Sequence, residues 1–486
     1  MSTATHKHLN RVSMGLEEKL PVKVVQFGEG NFLRAFVEYA FQQLNKTVNF
    51  NAGIAVVQPI ARGMVNMLNN QDGLYTLFLK GIQNGEAVQQ KELITNIVKG
   101  IDPYTDFDQY LELAREDNLE FIISNTTEAG IAYDANDTFS MEPPNSFPAK
   151  LTRLLYERFE HYKGDTKKGL TIIPCELINY NADTLKEIIL KYGALWNLDG
   201  AFMDWLDTGC SFHNTLVDRI VPGYPKDDIE AHNAQLDYLD NLIVTAETFL
   251  LWVIEGDAQL KDKLPFHMTA LDVKIVDDMQ PYRTRKVRIL NGAHTAMVPF
   301  SLLYGNETVK ETIDNDFTGT FVHQAIFNEI NETLPMERSE LDAFASDVLD
   351  RFRNPFIKHR LADIALNSIS KFKVRVLPSL LAFESKHKKL PTNLTFALAC
   401  LIRFYKGSWR GEPLPVKDGE PVVQAFEKIW SSKSVQEVAQ LCLQNTEFWD
   451  QDLTQVEGLS EAIAFALEQI ENHGVEKGLE HYKENY

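Results

Sequence analysis

Short apolar runs alternate with amphipathic segments through the N-terminal half of the chain. The run VKVVQF (22–27) is rich in β-branched residues and ends at a glycine, and the stretch 31–45 that follows repeats its apolar residues at a helical period. Further buried strands are predicted at 52–60, 120–130 and 169–177. Because strands that alternate with helices form βαβ units, this pattern predicts an α/β domain with a mostly parallel sheet.

The C-terminal half has a different pattern, since from about residue 283 nearly every segment has a helical period and strand signals are scarce. We therefore predict a separate all-α domain, so that the two domains span 1–280 and 281–486. The helices predicted in this half are 286–304, 318–332, 338–352, 356–369, 374–385, 391–405, 421–430, 434–443 and 457–483.

The charge balance of the 486 residues narrows the possible partners, because the net charge is -20. Nucleic acids and anionic membrane surfaces both bind basic faces, so neither partner is expected. The four cysteines lie far apart without a C-x-x-C pair, which predicts neither a disulfide framework nor a metal site. The N-terminal stretch is polar and lacks the apolar core of a signal peptide, and we expect a cytoplasmic protein.

A tight turn with two glycines, Gly28 and Gly30, joins the first predicted strand to the first predicted helix. Glycines at such a junction let the backbone approach a pyrophosphate, which the N–H groups and dipole of the following helix then bind. The usual third glycine is replaced by Leu33, and an ordinary tight turn is the alternative. The predicted cofactor-binding residues are Val24, Val25, Gln26, Phe27, Gly28, Glu29, Gly30, Asn31, Phe32, Leu33, Arg34 and Ala35.

The second predicted strand does not end in the acidic residue that usually holds the ribose 2′-hydroxyl of NAD. Gln58 and Pro59 occupy that end, and Arg62 follows them. Because an arginine there would suit the 2′-phosphate of NADP, the spacing leaves the choice between the two dinucleotides open.

The stretch KVRILNGAHTAMVP (286–299) places Lys286, Asn291 and His294 in an otherwise apolar helix. With 3.6 residues per turn, Asn291 and His294 lie about 60° apart on one face, and the long side chain of Lys286 is able to reach the same point. Such a set suits a reacting carbonyl oxygen, because the amide and imidazole donate hydrogen bonds and the ammonium donates a proton. The alternative is that Lys286 lies just before the helix, that Asn291 forms a local hydrogen bond, and that His294 is a hydrogen-bonded histidine of the protein core.

Three basic stretches interrupt the acidic trend of the chain, at 281–288, 351–360 and 371–375. If they converge, they form a local positive field that attracts a small anion such as a carboxylate or a phosphate. The alternative is that each stretch is a solvated helix face.

Several motifs together resemble the polyol-specific long-chain dehydrogenases and reductases, the mannitol dehydrogenase family. The resemblance covers the chain from about residue 20 to the C-terminus and implies a Rossmann-type domain followed by a helical domain, NAD as the cofactor and no metal. The matching stretches are QFGEGNFLRAF, QDGLYT, SNTTEAGI, IIPCELI, NTLVDRIVPG, ETFLLWVIEG, the Lys286-x4-Asn291-x2-His294 pattern, RFRNP and DLTQVEGL.

The resemblance implies that Lys286 is the general acid/base, that Asn291 and His294 hold the reacting oxygen, and that Asp218, with Val217 and Arg219, lines the substrate site.

The family usually has an asparagine directly after the Cys-Asp/Glu pair. This chain has Leu177 there, and Asn179 or Asn181 is the candidate replacement. In the NTTEAG loop, Asn125, Thr127 and Glu128 are candidates to meet the cofactor, with an ordinary polar loop as the alternative. The candidates to bind a substrate carboxylate are Lys371, Lys373, Arg375, Arg353 and Lys358.

The activity implied by the resemblance is reversible, NADH-dependent reduction of D-tagaturonate to D-altronate in hexuronate breakdown. Within the family, the alternatives are reduction of D-fructuronate and oxidation of mannitol or a polyol phosphate, because a phosphate would suit the same cations. An alternative of another class is a non-catalytic nucleotide sensor. The expected partner is a small anionic sugar acid, and the oligomeric state is left open.

Overall fold

The computed structural model describes residues 7–16, 18–83, 85–127, 129–431 and 434–486. They fall into two compact units, one formed by 1–80 and 88–279 and the other by 81–87 and 280–486. The predicted division at 280/281 assigns 81–87 to the first domain, whereas the structure groups these residues with the helical unit.

A six-stranded sheet forms the centre of the first unit, and all of its strands are parallel. When the strands are numbered along the chain, their order across the sheet is 3-2-1-4-5-6, which is the strand order of a Rossmann dinucleotide-binding fold. The order reverses between the first and fourth strands, and ligands of such sheets bind at the carboxyl ends there. The strands are Val22–Phe27, Gly53–Val57, Ile97–Ile101, Phe121–Ser124, Thr171–Pro174 and Ser211–Phe212.

Successive residues of the strands point to opposite faces of this sheet, so each face carries apolar side chains. Helices cover both faces. In the first strand, Val24 packs into one apolar core with Phe36 and Phe41, whereas Val25 and Phe27 pack into the other. The helical segments of this unit are Asn31–Leu33, Arg34–Glu38, Tyr39–Val48, Val65–Asn70, Phe107–Glu112, Leu113–Arg115, Phe147–Tyr162, Thr166–Lys168, Asn181–Leu195, Gly200–Thr208, Lys226–Asp228, Ile229–Asn233, Ala258–Lys263 and Phe266–Met268.

Two three-stranded sheets and one two-stranded pair complete the first unit. The prediction did not include them, although the strands Thr215–Asp218 and Leu251–Glu255 are largely buried. Their strands are Lys7–His8 with Tyr238–Leu239; Val244–Ala246, Tyr75–Gln83 and Glu86–Ile94; and Thr215–Asp218, Leu251–Glu255 and Asp272–Val276.

Among the described residues from 280 to 486, the second unit is helical apart from one short hairpin, which confirms the predicted fold class of an α/β domain followed by a helical one. The hairpin strands are Ser408–Trp409 and Glu412–Pro413. The helical segments are Gln280–Lys286, Val287–Asn291, Gly292–Tyr304, Val309–Asp314, Asp316–Gln324, Ala325–Ile330, Asn331–Thr333, Arg338–Phe352, Leu361–Ile364, Ser368–Arg375, Leu377–His387, Thr392–Phe404, Glu420–Trp430, Val435–Leu443, Thr446–Trp449, Leu453–Gln455, Leu459–His473 and Val475–Asn485.

Four predicted helices of this unit differ from the structure. The predicted helix 374–385 spans the break at Val376, which separates Ser368–Arg375 from Leu377–His387. The helix that contains Lys286 starts at Gln280, six residues earlier than the pattern indicates. The predicted helix 356–369 is mostly irregular, and Asn367 has a left-handed φ of 54° just before the helix Ser368–Arg375. The segment 457–483 forms two helices because Gly474, with φ 82°, ends the first one.

None of the helices in the described part of the chain is long and apolar enough to cross a membrane. The described residues also include no group of three or more histidine, cysteine or acidic side chains arranged to hold a metal ion.

A buried carboxylate caps the central helix Thr392–Phe404, in which every residue from Asn393 onward is buried. The Glu329 side chain accepts hydrogen bonds from the backbone N–H groups of Asn393 and Leu394, both at 2.8 Å, and from the Asn393 amide at 2.7 Å. These bonds satisfy N–H groups that a helix leaves without partners in its first turn. Burial nevertheless raises the pKa of Glu329 to about 7, with the hydrogen bonds and Lys483 opposing the shift.

This carboxyl predicts a pH dependence of stability. Because folding raises the pKa of Glu329, its carboxyl makes its full contribution to the free energy of unfolding at pH values below the unfolded pKa of about 4.3. This contribution is lost as the pH rises through about 7. Relative to Glu329→Gln, the wild-type free energy of unfolding should fall by about 3 kcal/mol between pH 5 and pH 8. Urea unfolding at several pH values measures this difference, with the exposed Glu480→Gln as control. Parallel pH profiles for wild type and Glu329→Gln would show that the carboxyl titrates normally.

Candidate active site

The glycine turn lies at the point where the strand order of the parallel sheet reverses. Gly28 follows the first strand with a φ of 117°, a conformation that glycine adopts without strain. A Cβ at Gly28 would lie only 3.0 Å from the carbonyl oxygen of Asn125, which follows the fourth strand. The N–H of Asn125 donates in turn to the carbonyl of Phe27 at 3.1 Å. The two predicted cofactor loops are therefore in direct contact at the carboxyl ends of adjacent strands.

The residues beside this turn fit a dinucleotide. A Cβ added at Gly30 would meet nothing within 4 Å, so the space at the N-terminus of the helix 31–48 is open. No side chain caps that N-terminus, which leaves its N–H groups to a pyrophosphate. Leu33, in the place of the usual third glycine, is buried and contacts Gly28, so it packs the helix against the turn. A cavity of about 820 Å³ adjoins the turn and is lined in part by Gly30, Asn31, Arg34 and Met64.

A fully buried carboxylate, that of Glu38, organises the backbone under this turn. Gln26 donates from Nε2 to the carbonyl of Gly28 at 2.8 Å and to Glu38 Oε1 at 2.7 Å. The Tyr75 hydroxyl is 2.6 Å from Glu38 Oε2 and 2.6 Å from the carbonyl of Arg34. Burial raises the pKa of Glu38, while the hydrogen bonds from Tyr75 and Gln26 lower it. The sequence pattern missed this network, although an acidic residue on the apolar side of a predicted helix is a signal that could have indicated it.

The helix after the turn contains a π-helical segment, Arg34–Glu38, whose carbonyl groups bind side chains. The Ala35 carbonyl accepts from Arg219 Nη1 at 2.6 Å, and Arg219 Nε donates to the carbonyl of Glu247 at 2.9 Å. Burial lowers the pKa of Arg219 to about 10. Arg219 therefore ties the helix to the chain after the strand Thr215–Asp218, a structural function that is separate from its predicted role toward substrate.

A second buried carboxylate joins the NTTEAG and PCELI loops. Glu176 accepts from the N–H and the hydroxyl of Thr126, both at 2.9 Å, and from the hydroxyl of Ser124 at 3.0 Å. Asn125 Nδ2 donates to the carbonyl of Cys175 at 2.7 Å. Thr127, also predicted to meet the cofactor, is exposed and has a φ of 83°. Such a conformation is strained for a β-branched residue and is typical of functional loops. Glu128 lies outside the described residues.

The two candidates to replace the family asparagine differ in their surroundings. The Asn181 amide is buried and donates to the carbonyls of Pro174 and Glu176, at 3.0 and 3.1 Å. Asn181 is therefore committed to holding the start of its helix against the sheet. Asn179 and Leu177 are exposed in the loop before that helix. Of the two asparagines, Asn179 has the surroundings that suit a substrate contact.

The predicted substrate residues Val217 and Asp218 lie at the end of the strand Thr215–Asp218. Val217 belongs to the apolar core that also contains Val24 and Phe36, so its side chain serves packing. Asp218 is buried as well. The roles of both residues toward substrate stay predictions.

In the helical unit, Lys286, Asn291 and His294 are carried by one helix that changes its geometry between them. The segment Val287–Asn291 is π-helical, with regular helix before and after it. In a regular α-helix, residues five apart point about 140° away from each other. The i→i+5 turn instead brings Lys286 and Asn291 to within about 40°, as i and i+4 are in an α-helix. His294 follows Asn291 by about 60°, so the three side chains project from one side of the helix.

Close packing holds this part of the helix in place. A Cβ at Gly292 would lie 3.1 Å from the carbonyl oxygen of Arg375, so a larger residue would push the helix Ser368–Arg375 away by a few tenths of an ångström. The ring of His294 stacks on Phe352 with centroids 4.2 Å apart and meets the ring of His359 edge-on at 4.9 Å. Parts of the second and third basic stretches therefore pack against this helix, through Phe352, His359 and the backbone carbonyl of Arg375.

The individual cations have different surroundings. Arg285 is buried and forms an ion pair with Glu340 at 2.9 Å, so it serves the fold. The predicted carboxylate ligand Arg353 is exposed and lies 3.9 Å from Asp350 on its own helix. Lys371, another candidate, is half-buried, and its ammonium donates to the carbonyl of Ile364 at 2.9 Å. Burial and the neighbouring Arg375 lower the pKa of Lys371, and burial lowers that of Arg375. Two half-buried cations one turn apart are suited to an anion.

This protein is a nicotinamide-dependent oxidoreductase that acts on CH–OH groups. Such an enzyme needs a dinucleotide-binding sheet, which the first unit has, and proton and hydrogen-bond donors such as Lys286, Asn291 and His294 of the second. The chain belongs to the mannitol dehydrogenase family. The model of the mannitol dehydrogenase Rossmann domain matches residues 22–267, and that of the mannitol dehydrogenase C-terminal domain matches residues 278–471.

Similar proteins cover nearly the whole chain. The altronate oxidoreductase of Klebsiella pneumoniae (strain 342) is 47% identical over 461 residues, which are 94% of this chain and 95% of that protein. The altronate oxidoreductase of Escherichia coli (strain K12) is 47% identical over 465 residues, 94% of this chain and 95% of its own. Among solved structures, D-sorbitol dehydrogenase in substrate-free form has a TM-score of 0.79 at 18% identity, covering 97% of this chain and 100% of its own. The Pseudomonas fluorescens mannitol 2-dehydrogenase ternary complex with NAD and D-mannitol has a TM-score of 0.65 at 20% identity, covering 99% and 98%. These two structures share the fold.

Substitution of the two glycines of the turn should affect different properties, stability at Gly28 and dinucleotide binding at Gly30. Gly28→Ala forces a strained φ and a close contact with Asn125, and it should cost about 1–3 kcal/mol of stability. Gly30→Ala has a φ of -68° and open space, so the fold should keep its stability while the new methyl group weakens dinucleotide binding roughly tenfold or more. Urea unfolding and titration of nicotinamide fluorescence separate the two effects. A destabilised Gly30→Ala protein, or a fully stable Gly28→Ala protein, would contradict this geometry.

Proposed function

We propose that this protein catalyses the reversible, NADH-dependent reduction of D-tagaturonate to D-altronate. The observation that carries the proposal is the 47% identity to altronate oxidoreductases over 94% of the chain, which spans both units. The side chains that share one side of the helix 280–304 supply chemistry that suits a ketone.

The cofactor, when bound, supplies a hydride to the ketone carbon. Negative charge then grows on the carbonyl oxygen, where fixed donors stabilise it and a proton neutralises it. Lys286 is the group that delivers the proton and that accepts one from the hydroxyl in the reverse direction. Asn291 and His294 donate hydrogen bonds to the same oxygen, and the stacking of His294 on Phe352 fixes its ring. The π-helical turn supports this division of work, because it brings the three groups to one side.

The substrate differs from a neutral ketose by its carboxylate, which needs a cation. Lys371 and Arg375 suit this role, since they are half-buried and lie one turn apart on a helix that packs against Gly292. A half-buried cation interacts more strongly with an anion than an exposed one does, because solvent screens it less. Arg353 is the weaker candidate, because it is exposed and faces Asp350.

Substitution of the proposed acid tests the chemistry. Lys286→Met removes the proton donor, and we expect kcat to fall about 10²- to 10⁴-fold while the affinity for NADH stays within about twofold. Steady-state kinetics with tagaturonate and fluorescence titration of NADH measure the two quantities. Lys428→Met, an exposed position of the helix Glu420–Trp430, is the matched control. Unchanged turnover of Lys286→Met would remove Lys286 from the mechanism.

A comparison of substrates tests the carboxylate contact. NADH oxidation should be fastest with D-tagaturonate, slower with D-fructuronate, and weaker by about 10²-fold or more with fructose, which lacks the charged group. Lys371→Met and Arg375→Met should raise KM for tagaturonate and leave the slow fructose reaction nearly unchanged. Fastest turnover of fructose would reject the carboxylate contact, and fastest turnover of fructose 6-phosphate would identify a phosphate site instead.

A further inference from the structure

We propose that Glu29, in the middle of the glycine turn, selects the unphosphorylated dinucleotide by binding the adenosine ribose and repelling a 2′-phosphate. The proposal rests on the dinucleotide-dependent function proposed above and adds a specificity residue to it. Glu29 lies between the two glycines and is only 8% exposed, although a solvated acid would be the ordinary occupant of such a turn.

The Glu29 carboxylate lies at the carboxyl end of the second strand, Gly53–Val57. Its Oε1 accepts from the N–H of Met64 at 3.2 Å. A Cβ at Gly63 would lie 2.2 Å from this oxygen and 2.4 Å from Cδ of Gln58, so Glu29 and Gln58 meet under Gly63. In dinucleotide-binding folds, the acid that holds the ribose 2′-hydroxyl comes from this strand end. Here the strand ends in Gln58, and the first loop supplies the carboxylate to the same place.

The surrounding charges favour a hydroxyl over a phosphate. Asp102 follows the third strand, Ile97–Ile101, and lies close enough to Glu29 to raise its pKa, in addition to the larger effect of burial. Arg34 opposes this effect, but its guanidinium already donates to the Leu242 carbonyl and the Asn31 side chain, both at 2.7 Å. Two carboxylates at neighbouring strand ends accept hydrogen bonds from a sugar hydroxyl and repel a dianionic phosphate.

A second cation near Glu29, Arg62, would favour a phosphate. Arg62 belongs to the same loop as Gly63 and is exposed. An exposed arginine is screened by solvent, whereas the buried Glu29 is not, so we expect the carboxylate to dominate the choice between dinucleotides.

Binding of NADH and NADPH without any sugar tests the proposal. Nicotinamide fluorescence titration should show that the wild type binds NADH at least about 100-fold more tightly than NADPH. Glu29→Gln should weaken NADH roughly tenfold, as expected for a hydrogen bond to a charged group, and should reduce the preference for NADH by tenfold or more. Gly63→Ala displaces the carboxylate without removing its charge and should also weaken NADH. Exposed Glu112→Gln is the control for charge, and thermal melting shows that each variant is folded.

The outcomes separate this inference from the proposed reaction. An unchanged NADH-to-NADPH ratio in folded Glu29→Gln, or a wild type that binds both equally, would overturn the role of Glu29. A ratio that changes only in Arg62→Ala would also overturn it, since the arginine would then determine the choice. Selective NADH binding that depends on Glu29, in a protein that does not reduce tagaturonate, would support this inference and overturn the proposed substrate.

Discussion

The geometry of the dinucleotide turn depends on a carboxylate that has no contact with water, that of Glu38. An ionisable group buried in an apolar core is costly unless hydrogen bonds satisfy it, and here Gln26 and Tyr75 do so from two different strands. The same Gln26 amide holds the carbonyl of Gly28. The strand, the turn and the helix are thereby fixed relative to each other before any ligand binds, which reduces the entropic cost of binding.

Both units use a π-helical turn next to their candidate chemistry. In the first unit, the turn 34–38 offers carbonyl groups that Tyr75 and Arg219 bind. In the second, the turn 287–291 aligns Lys286 with Asn291 and His294. Such turns cost helix stability and persist where neighbouring groups compensate for it. The close approach of the Arg375 carbonyl to Gly292 and the stack of His294 on Phe352 are the compensating contacts in the second unit.

The sequence predicted the parallel sheet and the helical unit well, because strong periodicity needs no tertiary information. The strand 22–27 and the helix 338–352 have the predicted bounds. Local periodicity could not predict the break at Asn367, where tertiary contacts override propensity. The motif spacing identified Lys286, Asn291 and His294, but their common side depends on a hydrogen-bond shift that the pattern does not encode. Likewise, periodicity does not encode the close approach of the Glu29 and Gln58 side chains to Gly63.

The π-helical turn 287–291 differs from a turn of ordinary helix by a single residue. Gain or loss of one codon inside this turn is therefore absorbed by a switch between π-helical and α-helical hydrogen bonding, and the helix downstream keeps its direction relative to Lys286. A lineage can gain or lose this residue in one genetic step while the polar groups stay on one side and the apolar residues around them keep their identities. Alignments of related chains should accordingly place the informative gap inside this helix rather than in the loops that flank it.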